Sequence, residues 1–346
     1  MTRPELTVMG GGIFGLSCAW EATRRGARVR LIEVERIGAG SSGGLVGALA
    51  PHVPENWNEK KAFQLDSLLM AQDFWAGVEA MSGLSTGYGR LGRLQPLEAG
   101  EAVARAQARQ EEAATLWQGR ATWRVRPATG AAWEPASPSG LLVEDTLTAR
   151  LHPRMAAAAL VAAIRATEGE VLIGQADPVG PVIWATGLAG LLALNHDLGS
   201  RVGAGVKGQA LLLSFDARNL PQVFADGLHI VPHADGTVAV GSTSENQWDD
   251  PASVDDRCDA LMARAVAAVP PLRGAHLIER WAGVRPRARS RAPMLGAWPG
   301  RPGHFIANGG FKIGFGMAPK VAQVMVDLVL DGHDTVPEGF RVEASL

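Results

Sequence analysis

The sequence contains few of the residues from which metal sites, disulfides and thiol chemistry are built. Its 346 residues include two cysteines and one tyrosine. The cysteines, Cys18 and Cys258, cannot form a disulfide framework, and no Cys-x-x-Cys motif or His/Cys cluster indicates a metal. Cys18 falls in the first predicted helix, where a small buried residue is favoured over a catalytic thiol. The sequence therefore predicts no metal site.

Strong net charge and long apolar runs are also missing. The formal net charge is −2, so there is no electrostatic reason to expect nucleic acid or an anionic membrane as a partner. The longest apolar run, residues 155–164, is too short to span a bilayer. The first predicted strand begins so near the first residue that no signal peptide is expected, which predicts a cytoplasmic location. A homo-oligomer is left open.

A glycine-rich turn near the first residue is the most informative feature that is present. Gly10, Gly12 and Gly15 lie between an apolar run and an amphipathic stretch, and a second apolar run ends on Glu33. Strand, glycine turn, helix, strand and acid form the arrangement that binds the diphosphate and ribose of a dinucleotide. The N–H groups at the helix start face the phosphates, and Glu33 accepts hydrogen bonds from ribose hydroxyls. The alternative is an ordinary tight turn.

Hydrophobic periodicity and turn residues predict the other elements. Helices are predicted over residues 14–25, 60–82, 101–118, 152–164, 253–269 and 315–330, the fifth of them capped by Ser253. Strands are predicted over residues 180–187, 209–215, 228–232, 237–241 and 304–307, with Asp235-Gly236 as a hairpin turn.

This order of elements predicts an α/β fold. Segments that alternate with helices at both ends enclose strand-rich segments, which indicates a discontinuous, Rossmann-like dinucleotide domain and an inserted, mostly antiparallel β-sheet substrate domain. The predicted boundaries are residues 1–85, 147–205 and 280–346 for the dinucleotide domain, and 86–146 and 206–279 for the substrate domain. Active sites usually lie between two such domains.

Four segments resemble the D-amino-acid oxidase and glycine oxidase family of FAD-dependent oxidoreductases. The first is the glycine turn, and the second is the small-residue loop 38–51, similar to the family's loop beneath the isoalloxazine ring. The third is His-Ile-Val-Pro-His at 229–233, continuing to Val-Gly-Ser-Thr-Ser-Glu at 240–245. The fourth is Trp-Ala-Gly-Val-Arg-Pro at 281–286, with Pro-Met-Leu-Gly at 293–296 and the glycine-rich turn 309–319. Their order matches the family along essentially the whole chain.

The resemblance implies a glutathione-reductase-type fold with FAD as the cofactor. A loop of small residues lets backbone lie against a flat ring, although a flexible surface loop is the alternative. The glycine turn before the last helix would face the anionic edge of a reduced flavin, unless it only reverses the chain. The implied cofactor-binding residues are Gly10, Gly12, Ile13, Phe14, Gly15, Glu33, Ser41, Ser42, Gly47, Ala48, Leu49, Thr186, Gly187, Gly310, Lys312, Ile313, Gly314, Phe315 and Gly316.

The resemblance also implies a reaction. Members of the family oxidise a small amine or amino acid of the glycine, sarcosine or D-amino-acid type by hydride transfer to flavin N5. Oxygen then reoxidises the flavin and forms hydrogen peroxide. Two alternatives stay open, namely a dehydrogenase that passes electrons to a quinone or protein acceptor, and a non-catalytic flavoprotein subunit of a larger enzyme. The expected partners are therefore the amine and O₂ or another electron acceptor.

Four residues are expected to act on the substrate. Arg285 aligns with the family's arginine that clamps the substrate carboxylate, for which a guanidinium fork is suited. His229 falls where the family usually has a tyrosine that helps to hold this carboxylate, and near neutral pH it would add charge. Lys312 stands where glycine oxidases often have arginine. His52 follows the small-residue loop and is expected to line the pocket. For each of them a purely structural or solvent-facing role is the alternative.

A basic run replaces the family's usual Thr-x-Asp-Gly after the clamp. In an extended chain, Arg285, Arg287, Arg289 and Arg291 would share one face, because alternate residues of a strand point the same way. They predict an electropositive entrance that favours an acidic or dicarboxylic substrate, or else a solvated basic edge.

Overall fold

The computed structural model describes residues 5–346, which form two large sheets, a two-stranded ribbon and the helices that cover them. Within this range the seven α-helices are α1 (Ile13–Arg24), α2 (Glu59–Ser82), α3 (Glu101–Leu116), α4 (Pro153–Ala166), α5 (Gly187–Asp197), α6 (Arg257–Ala268) and α7 (Gly314–Asp331). The sixteen strands of the same range are β1 (Glu5–Met9), β2 (Arg28–Glu33), β3 (Ala48–Leu49), β4 (Arg93–Pro96), β5 (Trp123–Pro127), β6 (Leu141–Asp145), β7 (Ala149–Arg150), β8 (Glu170–Ile173), β9 (Val182–Trp184), β10 (Gly203–Ser214), β11 (Gln222–Ala225), β12 (Leu228–Pro232), β13 (Thr237–Gly241), β14 (His276–Ala288), β15 (Met294–Ala297) and β16 (His304–Asn308).

The six-stranded sheet places the glycine turn at the end of a central strand. Its order is β15-β16-β9-β1-β2-β8, and β1 pairs in parallel with β2 and with β9. Strand β1 is buried on both faces, because the consecutive residues Leu6, Thr7 and Val8 are all buried. The residues after β1, β2 and β9 therefore meet at the carboxyl edge of the sheet, where open α/β sheets bind their ligands.

The eight-stranded sheet brings the predicted substrate residues together. Its order is β14-β10-β13-β12-β11-β4-β6-β5, and the long strands β10 and β14 pair antiparallel from Gly203–Ala288 to Ser214–His276. The hairpin of β12 and β13 has the predicted bounds. The two sheets draw on different stretches of the chain, whereas β10 and β14 cross the predicted boundaries near residues 205 and 280. The division into two domains stays a prediction.

Two local predictions are wrong, one because of a tertiary contact and one because of the backbone conformation. Ser253 does not cap α6, which begins at Arg257 after Asp256, because the Ser253 hydroxyl instead lies 2.8 Å from the Lys207 ammonium. The strand predicted over 180–187 is limited to β9, since Gly187 has a φ of +58° and begins α5. The other predicted helices are confirmed within a few residues at each end.

The basic run is only partly extended. Strand β14 ends at Ala288, and the chain then turns, with the Arg291 N–H bonded to the Ala288 carbonyl and a φ of +61° at Arg291. Arg289 and Arg291 are exposed in this turn. The prediction that all four arginines share one strand face is therefore wrong, and only Arg285 and Arg287 do so.

Cys18 is fully buried in α1, and burial raises the pKa of its thiol, with a smaller contribution from Glu21. A buried thiol with a raised pKa is not a nucleophile at neutral pH. In the described part of the chain, no three His, Cys, Asp or Glu side chains are grouped so that they could hold a metal ion. None of the helices described in residues 5–346 is long and apolar enough to cross a membrane.

Candidate cofactor and substrate site

The first glycine turn is packed so tightly that larger residues are excluded. A Cβ on Gly10, which has a φ of +110°, would lie 2.5 Å from the Ala185 carbonyl oxygen, and a Cβ on Gly15 would lie 2.0 Å from the Gly10 oxygen. Gly12 is different, since a Cβ there would meet only the Ser42 hydroxyl, at 3.3 Å. Gly12 precedes α1, whose first turn contains no acidic residue. The helix start is thus open to an anion.

The acid at the end of β2 is fixed beside this turn. Glu33 accepts hydrogen bonds from the Gly11 N–H at 2.7 Å and from the Glu35 N–H at 2.9 Å, one on each carboxylate oxygen. The side chain is nearly buried. A carboxylate has about four lone-pair positions, so two remain for the hydroxyls of a ribose.

The small-residue loop folds back onto the glycine turn. The Ser42 hydroxyl accepts from the Ile13 N–H at 3.0 Å, and the Gly38 N–H donates to the Gly11 carbonyl at 3.0 Å. A Cβ on Gly47 would lie 1.7 Å from the Leu151 carbonyl oxygen. Ser41 begins a short 3₁₀ turn, and Ala48 and Leu49 form β3. The loop is therefore an ordered part of the site.

The second glycine turn, residues 309–314, packs against the start of α1. A Cβ on Gly310 would lie 2.8 Å from the Phe14 ring, and one on Gly314 would lie 3.4 Å from the Ile13 side chain. Further along α7, a Cβ on Gly316 would lie 3.8 Å from the Leu49 Cα. Lys312 and Ile313 lie in this turn, and Phe315 lies in the first turn of α7.

The segment after β9 joins these two turns. The Ala185 carbonyl oxygen lies against Gly10, where a Cβ would come within 2.5 Å of it. The Asn308 amide donates to the Gly187 carbonyl at 2.8 Å. Thr186 precedes α5. The sequence segments predicted to bind the cofactor thus converge on one edge of the six-stranded sheet. Two helix starts without first-turn acids, tightly packed glycines and a fixed carboxylate together fit a flavin dinucleotide.

Arg285 is a buried cation that is held by neutral groups. Its Nη2 donates to the Ser242 hydroxyl at 2.6 Å and its Nη1 to the Thr243 carbonyl at 3.3 Å. A Cβ on Gly208 would lie 1.8 Å from Nη2, so the guanidinium occupies the space that a side chain would take. Burial lowers the pKa of Arg285 to about 10, while Glu245 acts to raise it. Arg285 is therefore charged at neutral pH.

The charge of Arg285 has no direct partner. Throughout residues 5–346, no carboxylate oxygen lies within ion-pairing distance of this guanidinium, although the side chain is only 8% exposed. A buried charge without a counterion is costly, and a bound carboxylate would supply that counterion through paired hydrogen bonds.

Two further cations flank an aromatic ring on the second glycine turn. The Lys312 ammonium lies 5.7 Å from the centre of the Phe311 ring, and the Arg287 guanidinium lies 5.6 Å from it. Lys312 is exposed, and desolvation together with the charge of Arg285 lowers its pKa. The structure thus brings Lys312 near Arg285.

His229 lies on β12, with its ring 4.6 Å from the ring of Phe224. Its Nδ1 is buried and has no hydrogen-bond partner. Burial, reinforced by the charges of Arg93 and Lys312, lowers the pKa of His229 to about 3. The imidazole is neutral at physiological pH, so it can donate or accept a hydrogen bond there but adds no charge to the site. The expectation that it adds charge near neutral pH is wrong.

His52 is directed toward α2. Its main-chain N–H donates to the Gln64 side-chain oxygen at 2.7 Å, and its ring Nδ1 contacts the same oxygen. Burial lowers the pKa of His52. These contacts tie His52 to Gln64, and a role in the substrate pocket stays a prediction.

Sequence reasoning assigned no role to the residues that hold Arg285 in place. Ser242 and Thr243 belong to a segment that was noted only for its family resemblance. Gly208 is a glycine inside the long strand β10, which signals the close approach of another group. That signal could have pointed to the guanidinium that lies over it.

Comparison with known proteins gives a consistent picture. The family model described as FAD dependent oxidoreductase (DAO) matches residues 5–328. A glycine oxidase of Pseudomonas putida is 35% identical over 141 residues, which are 39% of this chain and 39% of that protein. The bifunctional protein ThiO/ThiG of a Nostoc species is 25% identical over 96% of this chain and 53% of its own length. The matches thus cover about half or less of these relatives.

The fold is similar to that of a solved structure over its full length. The crystal structure of glycine oxidase from Geobacillus kaustophilus superposes with a TM-score of 0.82 and 22% identity, covering 99% of both chains. At this identity the likeness concerns the fold.

Proposed function

Since the chain belongs to the family of FAD-dependent oxidoreductases, we propose that it oxidises a small amine that carries a carboxylate, of the glycine, sarcosine or D-amino-acid type. In the overall reaction, a primary amine, O₂ and water give a carbonyl compound, ammonia and hydrogen peroxide. Bound FAD supplies the two-electron acceptor for the hydride of the carbon next to nitrogen, and O₂ returns it to the oxidised form. The names of the glycine oxidase relatives support this choice of substrate.

The uncompensated charge of Arg285 carries the proposal. A buried guanidinium that is hydrogen-bonded only to Ser242 and Thr243 keeps donors of its planar fork for a ligand. A substrate carboxylate matches this fork in charge and shape. The remaining requirement is orientation, because such a reaction depends on holding the reacting carbon in place rather than on a protein nucleophile.

The other residues refine this orientation. Neutral His229 offers a hydrogen bond without competing for the carboxylate charge. Lys312, which lies on the second glycine turn, adds positive charge near Arg285. The phosphates and ribose of FAD would be held by the helix start at Gly12 and by Glu33.

The decisive experiment uses the visible spectrum of the purified protein under anaerobic conditions. Glycine, sarcosine and a panel of D- and L-amino acids are added separately, with methylamine and ethylamine as controls that lack a carboxylate. We expect one carboxylate-bearing amine to bleach the flavin absorbance and the simple amines to leave it unchanged. Bleaching by simple amines at equal concentration would contradict the role of Arg285.

The electron acceptor needs a separate measurement. Hydrogen peroxide formed per amine consumed is compared with the reduction of a dye acceptor in the same buffer. Stoichiometric peroxide supports the oxidase, whereas dye reduction without peroxide supports a dehydrogenase that uses a quinone or a protein. A flavin that no amine bleaches would support a non-catalytic subunit. Cytoplasmic location and oligomeric state stay predictions from the sequence.

A further inference from the structure

A buried hydrogen bond connects the β12–β13 turn to the small-residue loop. The Nε2 of His233 lies 3.0 Å from the Leu45 carbonyl oxygen, between residues that are 188 positions apart in the chain. His233 is fully buried and Leu45 is 1% exposed. This contact plays no part in the binding of the amine proposed above.

Chemistry fixes the direction of this bond. A carbonyl oxygen only accepts, so the proton must be on Nε2 of His233. The other ring nitrogen, Nδ1, is buried without a partner, and a second proton there would have no acceptor. The ring is therefore the neutral tautomer with Nε2–H, a single donor directed at the loop.

The small-residue loop contacts two different parts of the site. On one side, Leu45 packs in a cluster with Ala210, Val231 and Ala239, and a Cβ on Gly241 would lie 2.8 Å from the Val46 side chain. On the other side, Ser42 accepts the N–H at the start of α1, as described above. The loop thus runs from the eight-stranded sheet to the first glycine turn.

Contacts with neighbouring residues hold His233 in place. Its ring centre lies 4.8 Å from that of His152, and its main-chain N–H donates to the Thr237 carbonyl at 2.8 Å. Arg150 donates to the Pro232 carbonyl at 3.0 Å, which fixes the preceding residue. The Asp235 carboxylate lies 3.8 Å from the His152 Nε2. The donor at Nε2 is therefore kept in one orientation.

We propose that His233 is a positioning residue for FAD: its Nε2–H fixes the Leu45 carbonyl, and thereby holds residues 42–47 in the conformation that receives the cofactor. The proposal rests on the proposed placement of FAD beside this loop. Without the donor, the loop populates other conformations, and the apparent affinity for the cofactor falls with the fraction that is competent to bind.

The test compares side chains that differ in where they present a donor. The amide nitrogen of glutamine reaches about as far as Nε2 of histidine, whereas asparagine ends near the position of Nδ1 and leucine has no donor. We therefore compare His233→Gln, His233→Asn and His233→Leu, with exposed His333→Leu as the control substitution. FAD is removed, and its dissociation constant is measured by titrating the apoprotein and following flavin fluorescence.

We expect His233→Leu and His233→Asn to raise the dissociation constant about tenfold, the order expected when a buried carbonyl loses its partner. His233→Gln and His333→Leu should stay within about twofold of the wild type. If His233→Leu does not fold, the comparison of His233→Asn with His233→Gln is sufficient to test the proposal. Equal values for Asn and Gln, or a lowered melting temperature of the apoprotein with unchanged affinity, would overturn the proposal.

This readout is independent of amine oxidation. If no amine bleaches the flavin but the affinities follow the expected order, the proposal for His233 stands and the proposed reaction fails. If an amine bleaches the flavin and the affinities are all equal, the reaction stands and the role of His233 fails.

Discussion

The guanidinium of Arg285 and the hydroxyl of Ser242 are 2.6 Å apart, which makes an uncharged group the nearest polar contact of a buried cation. A carboxylate in the place of this hydroxyl would fix the arginine equally well but would cancel its charge. Glu245 lies near enough to influence Arg285 without forming an ion pair with it. The protein thus holds the orientation of the guanidinium and leaves its charge without a counterion among the residues that the structure describes.

Removal of the clamp should affect the substrate but not the cofactor. We expect Arg285→Ala to purify with FAD and to lose about 2–5 kcal/mol in kcat/KM for the amino acid, the cost of truncating a buried charge pair. Steady-state kinetics with exposed Arg289→Ala as the matched control checks this. Wild-type kinetics of the Arg285 variant would remove Arg285 from the site.

Substitutions of two glycines of the first turn, Gly12 and Gly15, should have different effects. Gly12→Val should give a folded but colourless protein, because the space around Gly12 is bounded only by the Ser42 hydroxyl and is needed by phosphate. Gly15→Val should instead prevent folding, since its Cβ would lie 2.0 Å from the Gly10 oxygen. Flavin absorbance and circular dichroism separate the two outcomes. A yellow Gly12→Val protein would mean that the phosphates bind elsewhere.

Acid should destabilise the protein through two buried histidines. The pKa of His229 is lowered to about 3 and that of His233 to about 4, whereas the unfolded chain binds these protons near pH 6.5. The unfolded state thus binds more protons between these values, so stability is complete above about pH 6.5 and falls as the pH drops toward 4.

Each histidine should cost about 1–2 kcal/mol of unfolding free energy between pH 7 and pH 5. Urea unfolding at both pH values measures the loss of unfolding free energy for three proteins. These are the wild type, the double variant His229→Gln/His233→Gln and the exposed control His196→Gln. The double variant should lose much less stability on acidification than the other two proteins. An identical loss in all three would show that other groups control the acid response.

The basic run should divide into one residue that affects the substrate and two that do not. Arg287 lies beside Phe311 on the second glycine turn, whereas Arg289 and Arg291 are exposed beyond the strand. We expect Arg287→Gln to raise KM up to about fivefold and to weaken its salt dependence, since exposed charges contribute about 0.2–1 kcal/mol. Arg289→Gln/Arg291→Gln should match the wild type from low to high salt. The opposite pattern would place the electropositive entrance at the turn.

Local patterns predicted those parts of the fold and site that depend on neighbours in the chain. The glycine turn before α1 and the hairpin of β12 and β13 are examples, because periodicity and turn chemistry specify them. Contacts between distant segments could not be predicted in this way. Ser253 is bound by Lys207, 46 residues away, and so does not cap a helix. The neutrality of His229 likewise follows from burial, which one sequence does not show.

The arginine clamp was predicted, but its isolation from carboxylates was not. Family resemblance singled out Arg285, whereas only the packing of β10 against β14 shows that its guanidinium lies over Gly208 with neutral partners. The side-chain environment depends on pairs of strands that are far apart in the sequence, and the pairing is a property of the whole sheet.

The strand order of the six-stranded sheet has a consequence for synthesis in the cell. Strand β9 lies between β1 and β16, which are separated by nearly 300 residues of chain, so β16 is synthesised long after β1. A nascent chain that stops before residue 304 lacks β16, the second glycine turn and α7. It therefore holds the first glycine turn without the segment that packs against it. Cofactor capture should consequently wait until α7 has been synthesised, and retained flavin colour would report that translation had passed residue 331.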